Sequence, residues 1–343
     1  MKKYCFLFAL ASAMCACSSD VTPDSPASEK VSVTVNLQAP ETKAYVQDGD
    51  DATLDKVQVM VFRKNGTLET TTDLVSSGSS IQMDINPGEK TIVAVGNLPV
   101  KCTPEDLEEL MEMYYSLTAN TTGKLLMSRI EPRTIKTSGV INLTLERLAC
   151  KVVIDKIIRQ FSEPAYDEIP LVVKRIYLSN AVTSCNLNGE SPGNTGSFSV
   201  QKGVIGNLPA TAKALLVDEG LNETLYDNDS HNVTHTFYTY PNSVTSDTQG
   251  GDTFTPRRTR LIVECQYNGQ TCYYPITLPG MVNNNRGVLE RNKIYRITTL
   301  TLTRPGAPNP DVPSGEVSSL QTCTFNISVE PWSSGHSITE SFS

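Results

Sequence analysis

Beginning at Lys30 the chain reads KVSVTVNL, with Val31, Val33, Val35 and Leu37 on one side and Ser32, Thr34 and Asn36 on the other. Alternation with a period of two predicts a strand with one buried face. The same parity returns near the far end, where Cys323, Phe325, Ile327 and Val329 alternate with Thr324, Asn326 and Ser328. Between the two, apolar runs of strand length recur with turn chemistry between them. Lys56 to Phe62 precedes an Asn65-Gly66 turn, and Ser80 to Ile85 and Lys90 to Val95 flank Asn86-Pro87-Gly88 as a second expected hairpin. Val140 to Leu145 and the long apolar run Leu148 to Ile158 follow. Further strands are expected near 171–178, 197–205, 233–240, 259–267, 271–278 and 293–303.

One helix interrupts the series. Thr103 is placed as its cap and Pro104 at its first position, and Leu107, Leu110, Met111 and Tyr114 repeat at helical spacing. The pattern predicts an all-β protein with one short helix, built as β-sandwiches. A boundary near Arg147 divides it into domains at 44–147 and 148–303. Residues 304–317 (RPGAPNPDVPSGEV) carry four prolines, two glycines and no apolar period. They are expected to link the second domain to the terminal strand, the two together making up 304–343. Extended, the fourteen residues span up to about 46–50 Å.

The first residues set the compartment. Lys2 and Lys3 precede an eleven-residue apolar run, Tyr4 to Met14, too short to cross a bilayer. It ends in MCACSSD, which resembles a bacterial lipoprotein processing site, with 1–16 removed and Cys17 carrying lipid such as palmitate. Residues 17–43 then hold a polar tether and the first strand. The formal charge of −8 becomes about −10 without the two lysines. That balance excludes a nucleic-acid partner, which needs clustered cations.

Cys102, Cys150, Cys185, Cys265, Cys272 and Cys323 have irregular spacings that support neither a zinc nor a thioredoxin site. Asn268-Gly269 places Cys265 opposite Cys272 across a two-residue turn. Either a cross-strand disulfide or two buried thiols follows, and the wider spacing of a hydrogen-bonded pair favours the thiols. No GxSxG, HExxH, Walker-type loop or GxGxxG is present. His231 and His235 are expected in a solvated loop. Asp48, Asp50, Asp51 and Asp55 suggest calcium but lack the EF-hand pattern. No catalysis, metal or cofactor is expected.

Several segments then carry a resemblance: VAVGNLP (93–99), LERLACKVVI (145–154), FYTYPNS (237–243), LERNKIYRITTL (289–300) and VEPW (329–332). In this order, behind a lipobox, a first strand and a basic residue, they resemble the FimA-type major fimbrillins of Gram-negative anaerobes. The resemblance implies two tandem transthyretin-like β-sandwich domains and a lipoprotein precursor taken to the outer membrane surface. It also implies a trypsin-like protease that cuts after a basic residue beyond the first strand. Here the cut falls after Lys43, before Ala44, where the family has arginine. The strand bearing Val31, Val33, Val35 and Leu37 leaves, and a donor strand of another subunit, carrying Cys323, Phe325, Ile327 and Val329, fills its place. The implied partners are further copies in a head-to-tail filament, anchor and tip subunits, and host or bacterial surface ligands for adhesion. A tip or anchor subunit and a monomeric glycan-binding surface lipoprotein are the alternatives.

Overall fold

The computed structural model describes residues 29–40, 51–78, 80–192, 198–199, 209–250, 253–279, 281–282, 285–286, 288–314 and 321–332. Its first half holds strands β1 (Val31–Gln38), β2 (Lys56–Arg63), β3 (Leu68–Thr71), β4 (Ile81–Ile85), β5 (Gly88–Gly96), β6 (Met127–Ile135), β7 (Gly139–Thr144) and β8 (Glu146–Arg147). Its second half holds β9 (Cys150–Ile154), β10 (Ile157–Arg159), β11 (Leu171–Ser179), β12 (Val217–Leu225), β13 (His235–Thr239), β14 (Arg260–Tyr267), β15 (Gln270–Thr277), β16 (Lys293–Leu302) and β17 (Cys323–Pro331). Two short helices accompany them, α1 (Leu107–Glu112) and α2 (Ala210–Leu216). The protein is all-β, in two sandwiches.

In the first sandwich a three-stranded sheet, β4-β1-β7, faces a larger one ordered β8-β6-β5-β2-β3. Val33 and Val35 share a core with Val57, Val59 and Val61 of β2 and with Ile92 and Ala94 of β5. The opposite face of β2, with Met60 and Phe62, belongs to the core shared with the second half. Burial on both faces explains why KVQVMVF shows no alternation. Gln58, the polar residue within it, is satisfied by the backbone of Cys102 on both sides, donating to its carbonyl at 2.7 Å and accepting its N–H at 3.0 Å.

In the second sandwich β16 is the spine. It runs parallel to β9 and β10 on one side and antiparallel to β17 on the other. The facing sheet is ordered β12-β11-β14-β15. The run Leu148 to Ile158 is thus two strands, broken at Asp155 and Lys156, where Asp155 turns out to pair with Arg296 at 2.7 Å.

Several expectations meet corrections. Asn86-Pro87-Gly88 does not close a hairpin, because β4 pairs with β1 while β5 pairs with β2 and β6. The turn carries the chain between the two layers. Helix α1 starts later than its sequence suggests, capped by Asp106, whose carboxylate accepts the N–H of Glu109 at 2.8 Å. Residues 104–106 are instead held to the β2–β3 turn, where Leu68 N–H donates to the carbonyl of Glu105. Tyr114 falls beyond the helix and is exposed. Helix α2 was absent from the expectation, although Ala212, Leu215 and Leu216 bury at helical spacing. Of the strand near 197–205, only Phe198–Ser199 lies within the described residues.

Candidate functional site

β1 sits in the middle of its sheet. It is antiparallel to β4, with Val33 opposite Met83 and Val35 opposite Ile81. On its other edge it is parallel to β7, with Val35 beside Ile141 and Leu37 beside Leu143. Val33 and Val35 are buried, and Val31 and Leu37 pack partly against the same core. The outer face is polar, and Asn36 donates to Asn142 at 3.0 Å. Full burial of the two inner valines contributes about 3–6 kcal/mol gross. Without β1, both β4 and β7 would present open backbone edges around an apolar trough of strand width. Cys17, Lys43 and Ala44 lie outside the described residues.

β17 has the same parity and a different setting. Cys323, Phe325 and Ile327 are buried and Val329 is partly so. Among the described residues its one strand partner is β16, with Ile327 opposite Ile297 and Phe325 opposite Leu300 across a bulge. It therefore completes the core of its own sandwich as an edge strand.

The segment leading to β17 is packed, against the expectation of a bare linker. Ala307 pairs with Tyr273 on the edge of β15, with both N–H···O bonds at 2.8 Å. Arg260, buried on β14, donates to the carbonyls of Pro310, at 2.8 Å, and Val312. Burial pulls its guanidinium down to about 10, while Asp247 and Asp311 oppose that shift. Gly306 is required here, because a Cβ would lie 2.7 Å from the carbonyl oxygen of Tyr273. At least through Ser314, then, this segment straps the sheet edge.

Where the two sandwiches meet, a buried charged cluster escaped the sequence reading. Asp51 is almost fully buried and pairs with Lys151 at 2.8 Å. The Tyr238 hydroxyl donates to the same carboxylate at 2.9 and 3.1 Å, and Arg147 Nε donates to the Asp51 carbonyl at 2.9 Å. Trp332 closes the cluster, parallel to Tyr238 and under the guanidinium of Arg147 at 4.7 Å. Arg291 braces the junction beside it, donating to the carbonyls of Glu146, Arg147, Leu187 and Ser128. Charges so buried persist only when paired, and that pairing identifies Asp51 as structural. Two clefts of about 250 and 510 Å³ flank the cluster, one touching Pro40 beyond β1 and the other Pro331 of β17. Both are lined by Glu146 and Asn292.

The remaining candidate residues are settled by packing. His231 and His235 are buried, not solvated, with their Nε2 atoms 2.8 Å apart. Asp218 meets Nδ1 of His235 at 2.6 Å. No group of three or more metal-binding side chains occurs among the described residues. Cys265 stands opposite Cys272, and both are buried thiols. Asn268 and Gly269 take the left-handed backbone that the two-residue turn demands.

Comparison with known proteins matches this geometry. Residues 30–143 match the model of a family described as major fimbrial subunit protein (FimA). The fold matches a fimbrilin (FimA) of Porphyromonas gingivalis W83, with TM-score 0.60 and 16% identity over 90% of this chain and 99% of that one. It also matches a putative cell adhesion protein of Parabacteroides distasonis, with TM-score 0.61 and 14% identity over 91% and 98%. A third match is the tip fimbrial protein Mfa3 of Porphyromonas gingivalis, truncated at its C-terminus, with TM-score 0.51 and 14% identity over 88% and 99%. No curated protein sequence matches the chain. The fold is similar to that of these three proteins. Residues 30–143 are thus similar in sequence to the FimA-type fimbrial subunits, and nine-tenths of the chain shares the fold of a fimbrilin.

Proposed function

We propose that this protein is the shaft subunit of an adhesive fimbria, made as a lipoprotein precursor on Cys17 and polymerised by strand exchange after a trypsin-like cut between Lys43 and Ala44. It acts as a structural polymer and not as a catalyst. The observation that carries this reading is the place of β1 between β4 and β7. A central strand joined to the rest by one segment carrying Lys43 can be severed and withdrawn, leaving a slot open along both edges. A strand from a second copy supplies the missing ladder and apolar row, a form of β-strand addition. The Cys323 to Val329 segment has the parity for that slot. The test is in vitro: trypsin-treated precursor should form filaments by electron microscopy, and Lys43→Gln precursor should stay monomeric.

A second reading, a tip or anchor subunit, is supported by one feature. β17 completes its own sandwich, and a subunit that keeps its donor strand at home does not extend a filament.

A further inference from the structure

We infer that Asp51, Arg147, Lys151, Tyr238 and Trp332 form a latch that holds the end of β17 closed while β1 is in place. The inference rests on the strand-exchange reading and adds its regulation: slot and donor would become available in one event. The contacts run without a gap from one strand to the other. Gln38 of β1 pairs with Thr144, and its carbonyl accepts the N–H of Leu145 at 3.0 Å. Two residues on, Arg147 holds the Asp51 carbonyl and the Asn292 side chain, at 2.9 and 3.3 Å, and lies over the ring of Trp332. Trp332 N–H donates to the Asn292 carbonyl at 3.1 Å, and Asn292 N–H to that of Ala149 at 3.0 Å. The second route is covalent. Asp51 lies eleven residues beyond Pro40, on the far side of Lys43.

Withdrawal of β1 takes away the hydrogen-bond partner of Leu145 and frees the chain upstream of Asp51. Both changes act on the groups that frame the Trp332 ring. Any movement of Asp51 leaves the Lys151 ammonium buried without its acid, a costly state. The two-state element is the end of β17, docked beneath Arg147 or released; a shared arrangement of this kind can carry coupling between distant strands.

The chain has one tryptophan, so the latch reports on itself. Trp332 fluorescence is followed in three samples: intact precursor, Lys43-cut monomer retaining the residue 17–43 peptide, and cut monomer from which mild urea has removed it. The last should show a red-shifted emission and acrylamide quenching raised about threefold or more, as expected for local opening. A synthetic peptide of residues 30–38 added back should reverse both. Asp51→Asn precursor, checked for folding by thermal melt, should show the open signature without a cut. Equal emission and quenching in all three wild-type samples overturns the latch. Failure of cut wild-type protein to form filaments overturns the polymerisation reading instead, so the two are separable.

Discussion

β1 and β17 are near twins in sequence and opposites in structure. Both alternate four apolar side chains with polar ones, and both bury one face. β1 is a central strand with a partner on each edge, belonging to the chain that precedes the proposed cut. Among the described residues β17 is an edge strand with one partner, anchored at one end by the strap on Arg260 and at the other by Trp332. Alternation thus reports that a face is buried, and nothing of whether a strand is replaceable. Replaceability depends on how the chain enters and leaves the strand. Under the proposed cut β1 would lose its continuity at one peptide bond and leave two ladders, while β17 must shed a strap, a bulged ladder and a buried indole.

The largest expected effect concerns the bond itself. Lys43→Gln should reduce filaments at least about tenfold in sedimentation assays while the precursor melts normally. Comparable in size is a pair of truncations, ending at Trp332 or at Leu320. If residues 333–343 are dispensable and β17 is the donor, only the shorter chain should fail to extend filaments by electron microscopy. Failure of both would move the donor role to the terminal segment and leave β17 as a fixed strand.

Core substitutions separate the two strands by stage. Phe325→Ala should cost about 3–5 kcal/mol in urea unfolding of the precursor, and less in processed monomer freed of β1, where β17 becomes available. Val35→Ala should cost about 2 kcal/mol in the precursor and nothing once β1 has gone. An equal penalty in both forms would show that β1 stays bound after the cut.

The smallest effect is a pH dependence in the second sandwich. Burial, then the neighbouring His235, holds His231 below its ordinary value, against Glu223 and Asp218. The unfolded chain therefore binds its proton more readily, so stability is full above about pH 6.5 and falls as pH drops below it. His231→Gln should flatten the fall of Tm between pH 7 and 5. A parallel decline in the variant would assign it elsewhere.

Much of this was legible beforehand where one local rule decides the outcome. Asn268-Gly269 forced Cys265 and Cys272 into register, and the alternation of Val31 to Leu37 marked its buried face. What stayed hidden depends on contacts between distant segments. Asn86-Pro87-Gly88 has hairpin chemistry, but β4 is claimed by β1 and β5 by β2, so the turn spans two layers. Residues 304–314 have no apolar period because backbone carbonyls, not side chains, hold them to Arg260. Asp51 appeared as one acid in an acidic loop, and only folding brings Lys151, Tyr238 and Trp332 around it. The segments LERLACKVVI, FYTYPNS and VEPW, informative first as an ordered series, supply Arg147 and Lys151, Tyr238 and Trp332 to a single cluster.

The central claim is that β1 is present in the precursor and absent from the polymer. N-terminal sequencing of protein recovered from filaments on the cell surface tests it most directly. The account predicts a chain that begins at Ala44. Filaments whose subunits begin at Cys17, with Val31 to Leu37 still attached, would contradict it.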